Sequence, residues 1–294
     1  WLGKWSKGIL TLTAGMRYED VELLNRNYTK ADPRRTGKVR IETPNHAHAL
    51  LPGLGFNVKV LSVLSAFGGI HKGFAPPSAV LNQKPESSVN VEAGLRLTTQ
   101  KMKFEAIVFN NNYSNMLGSD LAAQGGQGTL DQFNVGKATV NGLELMFHYL
   151  PLPRHFAVQL PIQLSYTYTN TEMKNDFISS AWGNVVYGDE IPYIYKHAFN
   201  AQIGIEHKWV EANFGARYNG DMRTTPGHGK IAEREKIPAH LILDASLKGH
   251  INKNITITLN AINLANKKYL VSRHPAGLRA GHHFGIYGGV QLHL

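Results

Sequence analysis

The residues best suited to chemistry crowd into one polar stretch, Ser272 to His283, which reads SRHPAGLRAGHH. A guanidinium offers a planar fork of donors that matches a carboxylate, so Arg273 and Arg279 read as clamps for an anionic ligand. The imidazoles of His274, His282 and His283 can ligate a metal or hydrogen-bond an anion. The plainer reading of the same stretch is a solvated, charged loop. Arg223 and His71 lie at the mouths of other long polar connections. Gln124 sits in the uncharged run AAQGGQG, from Ala122 to Gly128, a kind of tip that can close over a ligand. The chain has 14 histidines. If those at His46, His48, His71, His228, His240, His274, His282 and His283 converge, nickel or haem iron becomes a fitting cargo.

Catalysis is poorly signposted. There is no G-x-S-x-G, P-loop or H-E-x-x-H, and no G-x-G-x-x-G that opens a helix, so the chain reads as a non-enzyme. A hydrolase would need one of the abundant histidines arranged with Ser or Asp at a rim. With no cysteine, disulfides and thiolate metal sites are excluded. The net charge is +10, but its cations are spread: Lys4, Lys101 and Lys253 beside expected turns, and Arg34, Arg35, Arg223 and Arg279 in long connections. That scatter argues against nucleic acid and suits phosphate-rich lipid headgroups and an anionic ligand.

The elements that must position these residues show a period of two. From Val210 to Asn219, apolar Val210, Ala212, Phe214, Ala216 and Tyr218 share one face, and Glu211, Asn213, Arg217 and Asn219 the other. The same rhythm predicts strands near Ile9 to Glu19, Ala47 to Lys59, Leu61 to His71, Val89 to Thr98, Met102 to Tyr113, Val135 to Tyr149 and Val158 to Asn170. Five more follow near His197 to His207, Val210 to Asp221, Ala239 to His250, Ile255 to Asn263 and Phe284 to Leu294, roughly a dozen in all. No apolar run is long enough to cross a bilayer as a helix.

Every second connection is long: Asp20 to His46, Lys72 to Ser88, Ser114 to Asn134, Thr171 to Lys196, Met222 to Pro238 and Leu264 to His283. The others are short, at Val60, Thr99 to Lys101, Lys208 to Trp209 and Asn252 to Asn254, with a slightly longer proline-containing one at Leu150 to Ala157. An antiparallel meander gathers alternate connections at one end, which is the plan of an all-β, up-and-down transmembrane barrel. Tyr18, Tyr113, Tyr166, Tyr168, Tyr218 and Tyr287 fall near the long connections, and Trp5, Trp209 and Tyr149 near the short ones, as two interfacial girdles require. The run GFAPPS, Gly73 to Ser78, removes two backbone donors and marks a strand exit. Of Asn110, Asn111 and Asn112, at least one must point inward.

Several segments carry a family resemblance: LPGLGFNVK from Leu51, GGIHKGFAPPS from Gly68, KPESSVNVEAGLR from Lys84, VNGLEL from Val140, and the tail from Asn260. With these the chain resembles the TonB-dependent outer-membrane receptors of Gram-negative bacteria, and among them the ferric-dicitrate type. The resemblance implies that the chain is the C-terminal portion of a barrel of about 22 strands, whose N-terminal plug, with its TonB box, is not in this sequence. It implies capture of ferric dicitrate or a similar anionic metal chelate as cargo, energised through TonB, with lipopolysaccharide and outer-membrane lipid as neighbours and no resident cofactor. A nickel or haem receptor of the same family, or a passive porin-like channel, is the alternative. The start at Trp1 reads as a start within a longer protein. Two details depart from the family: the end at Leu294 rather than an aromatic residue, and Ala280 where proline is usual. A partial barrel leaves backbone groups unpaired in hydrocarbon, so the piece alone is expected to be unstable or to oligomerise.

Overall fold

The computed structural model describes residues 1–28, 30–38, 40–78, 83–119, 132–153, 155–179, 182–274 and 277–292. Its strands in chain order are β1 (Leu2–Lys7), β2 (Leu10–Asn27), β3 (Ile41–Lys59), β4 (Leu64–Ala75), β5 (Glu86–Thr98), β6 (Met102–Ser119) and β7 (Gln132–Tyr149). There follow β8 (Val158–Gln159), β9 (Ile162–Met173), β10 (Phe177–Ser179), β11 (Gly183–Val185), β12 (His197–His207), β13 (Val210–Asn219), β14 (Met222–Arg223) and β15 (Lys236–Ile237). The last are β16 (His240–His250), β17 (Ile255–Ile262), β18 (Leu270–Ser272), β19 (Arg279–Ala280) and β20 (Gly285–Leu292).

One antiparallel 14-stranded sheet runs β1-β2-β3-β4-β5-β6-β7-β9-β12-β13-β16-β17-β20, with β8 paired to β12. Each main strand bonds to its neighbours in sequence, and among the described residues β1 and β20 do not meet, so the wall is an open arc. Three two-stranded ribbons, β10–β11, β14–β15 and β18–β19, rise from the long-connection end.

Cross-strand register assigns every side chain to a face. One face carries Leu10, Leu12, Ala14, Met16 and Tyr18 on β2, matched by Val58, Phe56, Leu54, Pro52 and Leu50 on β3. Further round the arc it carries Phe199, Ala201 and Ile203 on β12, opposite Tyr218, Ala216 and Phe214 on β13, then Leu241, Leu243 and Ala245 on β16. These apolar side chains stay exposed: Leu54 is 56% accessible, Ile203 54% and Val290 67%. The opposite face holds Thr13, Arg17, Asn57, Arg96, Glu105, Gln163, Asn200, Arg217 and Asp244. A water-soluble sheet would turn the greasy side inward, so this one is built for lipid outside and water inside. Four or five outward residues per strand make up the apolar band, equivalent to roughly 8–10 residues of tilted strand, which matches a bilayer crossing.

The band ends sharply at the long-connection side. The next outward residue is Asp20 on β2, His48 on β3, Lys72 on β4, Ser87 on β5, Asn110 on β6, Asn141 on β7, Asn170 on β9 and His197 on β12. Glycines let aromatic rings lie flat on the inner wall. A Cβ on Gly94 would fall 2.6 Å from Phe67, and one on Gly142 would fall 2.8 Å from Phe109. Phe67 in turn supports the Arg96 guanidinium at 4.7 Å, beside Glu105.

Several expectations need correction. β1 was not anticipated, and Lys4 lies inside it rather than beside a turn, because Leu2–Lys7 holds too few apolar residues to show the alternation. The connection expected over Asp20 to His46 narrows to residues 28–40, since β2 and β3 continue as a ribbon beyond the band. With water on both faces there, polar pairs such as Asp20 and His46 replace the alternation. β4 starts at Leu64, not Leu61. Of the expected girdle, Tyr18, Tyr166, Tyr168 and Tyr218 face outward, whereas Tyr113 and Tyr287 face inward by register. Of the three asparagines, Asn111 points inward and its two neighbours outward.

Candidate functional site

The inner wall offers two concave surfaces. A groove of about 820 Å³ is lined by Arg96, Glu105, Gln163, Gln202, Arg217 and Asp244, mid-wall and far from the long connections. A second, of about 690 Å³, has a floor of Gly15, Gly53, Gly55 and Gly69 rimmed by Arg17, His71 and Glu92. His71 stands directly opposite Gly53, whose missing side chain leaves it room; a Cβ there would sit 3.3 Å from that of His71.

Above the wall, the three ribbon-bearing connections lock together. Glu190 is the joint of the first two: it accepts from Arg223 Nε at 2.8 Å and from Lys196 Nζ, while Arg223 also donates to the Gly229 carbonyl at 3.0 Å. The Arg223 side chain is 7% accessible. Burial alone pushes the Glu190 carboxyl up, but the hydrogen bonds from Lys196 and Arg223 outweigh it and hold the group below its ordinary range. Beside it, Asp189 binds His228 at 2.9 Å and accepts the Val186 N–H. Tyr193 joins the third connection. Its own N–H donates to the Arg223 carbonyl, and its hydroxyl oxygen accepts from the backbone N–H of Arg273 at 3.4 Å and of His274 at 3.3 Å. Tyr193 holds a φ of 62°, a conformation an aromatic residue adopts only when its surroundings insist. At the base of the same connection Asn263, 1% accessible, donates to the Lys267 and His282 carbonyls and accepts the Lys267 N–H.

The expected site residues are thus divided. Arg223, expected among the ligand-binding residues, is buried in the canopy and paired with Glu190. Arg273 gives its Nε to the Lys236 carbonyl at 2.6 Å and keeps its two Nη groups uncommitted among the described residues. Arg279 on β19, His274 and His283 are exposed on the third connection, His283 at its base beside the start of β20. His282 donates from Nδ1 to the His283 carbonyl and accepts from the Tyr287 hydroxyl, so both of its nitrogens are occupied. His71 lies on the wall, in the glycine-floored groove and away from these. Gln124 lies outside the described residues. Among the described residues no three His, Asp or Glu side chains converge as a metal site would require. Sequence reasoning missed Glu190, Tyr193 and Asn263; only Asn263, in its asparagine-rich NLAN turn, left any local signal.

An oil-facing exterior, a polar inner wall and a canopy of interlocked connections at one rim form a receptor-like wall, and comparison with known proteins agrees. The description "TonB dependent receptor-like, beta-barrel" matches residues 2–264. The chain belongs to this family. Members are outer-membrane receptors and transporters of Gram-negative bacteria, not enzymes. Over 147 residues the chain is 26% identical to the probable TonB-dependent siderophore receptor PiuA of Acinetobacter baumannii, covering 48% of this chain and 18% of that receptor. The closed form of the ferric-catecholate import receptor Fiu of Escherichia coli K12 superposes with a TM-score of 0.71 at 20% identity, covering 98% of this chain and 43% of Fiu. The unliganded ferric citrate transporter FecA gives 0.72 at 18% identity, covering 97% and 43%. The chain therefore spans less than half the length of these relatives. Catecholate and citrate receptors match the wall equally well, so its shape is common to both.

Proposed function

We propose that the chain forms the wall and outer vestibule of a receptor for a ferric siderophore or iron chelate, with ferric dicitrate as the cargo. Transport in this reading runs past the plug of the complete receptor and is energised through TonB; the wall supplies capture and no energy. Lipopolysaccharide and outer-membrane lipid surround it.

The observation that carries the reading is the pairing of a rigid canopy with free cationic groups. Glu190, Arg223 and Tyr193 fasten the third connection, and among the described residues that connection presents Arg279 and the two Nη groups of Arg273 without a hydrogen-bond partner. Donor forks held on a fixed frame suit the carboxylates of a citrate shell around iron. Ferric citrate binding to the intact receptor that carries this chain tests it. Replacing both Arg273 and Arg279 with Ala is expected to weaken binding by about 2–3 kcal/mol, the range of charge-assisted hydrogen bonds. Unchanged affinity in the double variant removes the site. Uptake of citrate that persists without TonB favours a passive channel instead.

A further inference from the structure

The outward face of the β2–β3 ribbon carries a square of side chains of the kinds that ligate metals. Register sets Asp20 opposite His48 and Glu22 opposite His46, so two imidazoles on one strand stand beside two carboxylates on the next. Alternation puts residues i and i+2 on the same side of a strand, and the pairing of β2 with β3 runs without a shift from Leu10 to Asn27. All four groups therefore share one surface. The outward rows on either side are apolar, Tyr18 with Leu50 below and Leu24 with Pro44 above.

Bonding within the square is half complete. His46 meets Asp20 through Nε2, and its ring centroid lies 6.0 Å from that of His48. Neither the Glu22 carboxylate nor the His48 ring nitrogens have a hydrogen-bond partner among the described residues. As the side chains stand, their donors meet in pairs and not three at a point. Exposure leaves them room to gather: the His46 and Asp20 side chains are 55% and 53% accessible, and Glu22 and His48 are exposed too. Opposed Cβ atoms on paired antiparallel strands lie about 4.5–5.5 Å apart, a span that an imidazole and a carboxylate can close around an ion about 2.0–2.2 Å from each donor.

We propose that His46, His48, Asp20 and Glu22 bind a divalent transition-metal ion, with zinc as the occupant. Two imidazole nitrogens and two carboxylate oxygens make a borderline donor set, whereas calcium and magnesium take oxygen and would leave both histidines unused. Zinc has no geometric demand from its d electrons, so it accepts the arrangement that two adjacent strands allow. The two carboxylates balance its charge. Arg26, two rows above Glu22, does not compete for them, because Glu42 holds it at 2.9 Å. The square faces away from the lumen, so the ion is not cargo. It staples β2 to β3 where the ribbon rises above the apolar band with water on both faces. The inference goes beyond the receptor reading and does not depend on which chelate the receptor takes.

The test uses the intact receptor that carries this chain, stripped with a chelator and titrated with zinc sulfate in mild detergent, bound metal being counted by elemental mass spectrometry. Replacing His46 and His48 together with Ala is expected to remove one zinc per receptor, and His155→Ala, on a short turn at the other end of the wall, to remove none. Glu22→Gln is expected to weaken the same site by more than about tenfold, since even the loss of a group behind a ligand costs that much. Cobalt bound in place of zinc should show the strong visible absorption of a four-coordinate ion and lose it in the double histidine variant. Amide exchange in residues 20–24 and 44–48 should slow when zinc binds. Retained heat-modifiability on gels shows that each variant still forms its barrel. Equal zinc stoichiometry and affinity in the double variant overturns the proposal. So does the weak spectrum of hydrated six-coordinate cobalt, which marks a loosely held surface ion, and zinc that binds without slowing exchange overturns the staple.

Discussion

Glu190 works because two cations converge on a carboxylate whose pKa burial alone would raise. Its folded pKa lies below the unfolded value, so its contribution is complete above the ordinary carboxylate range and disappears as pH falls through the lowered value. Hydrogen exchange at the Ile191 and Tyr193 amides, corrected for intrinsic rate, should show strong protection at neutral pH and its loss in acid below the usual carboxylate pKa. Arg223→Ala should bring that loss to neutral pH, since it leaves a largely buried carboxylate with Lys196 alone, at on the order of 3 kcal/mol. Protection that survives in Arg223→Ala would show that the canopy is held elsewhere. At this scale the sequence was half legible. The cationic stretch from Ser272 announced itself by composition, but Glu190 and Tyr193 act on residues far along the chain. No local spacing encodes that Arg223 answers to an acid 33 residues earlier.

At the scale of the strand, face is everything. Phe214 and Asn213 are neighbours in sequence, but Phe214 meets lipid and Asn213 bonds to Gln202 on the inner wall. Phe214→Arg is expected to destabilise the barrel by about 2–4 kcal/mol, the cost of a cation near the bilayer centre, and Asn213→Arg to change it little. Urea unfolding in detergent or lipid vesicles measures both; equal effects would contradict the assignment of faces. Gly142→Val should also impair assembly, because even a Cβ there would fall 2.0 Å from the Tyr168 carbonyl oxygen and 2.8 Å from Phe109. Strand identity was readable wherever one side meets oil, as along β13, β16 and β17. It faded where both faces meet water, as in the upper ribbon of β2 and β3, and in short β1. Tyrosine position along a strand was readable too, but which side Tyr113 and Tyr287 take depends on register, which composition does not fix.

Among the described residues the whole arc has an unpaired edge at each side, along β1 and β20. In hydrocarbon such edges demand partners, so the 294-residue chain expressed alone and refolded in vesicles should assemble into multimers or aggregate. Chemical cross-linking followed by denaturing gels checks this; a stable monomer would mean that the arc closes on itself. The order of its strands carries another consequence. Each tight connection, such as Lys208 and Trp209 between β12 and β13, joins a strand only to its next neighbour, so a hairpin enters or leaves the wall without rerouting any other segment. Evolution can therefore widen or narrow such a cylinder by copying or deleting hairpins two strands at a time, adjusting circumference while the surviving loops keep their chemistry.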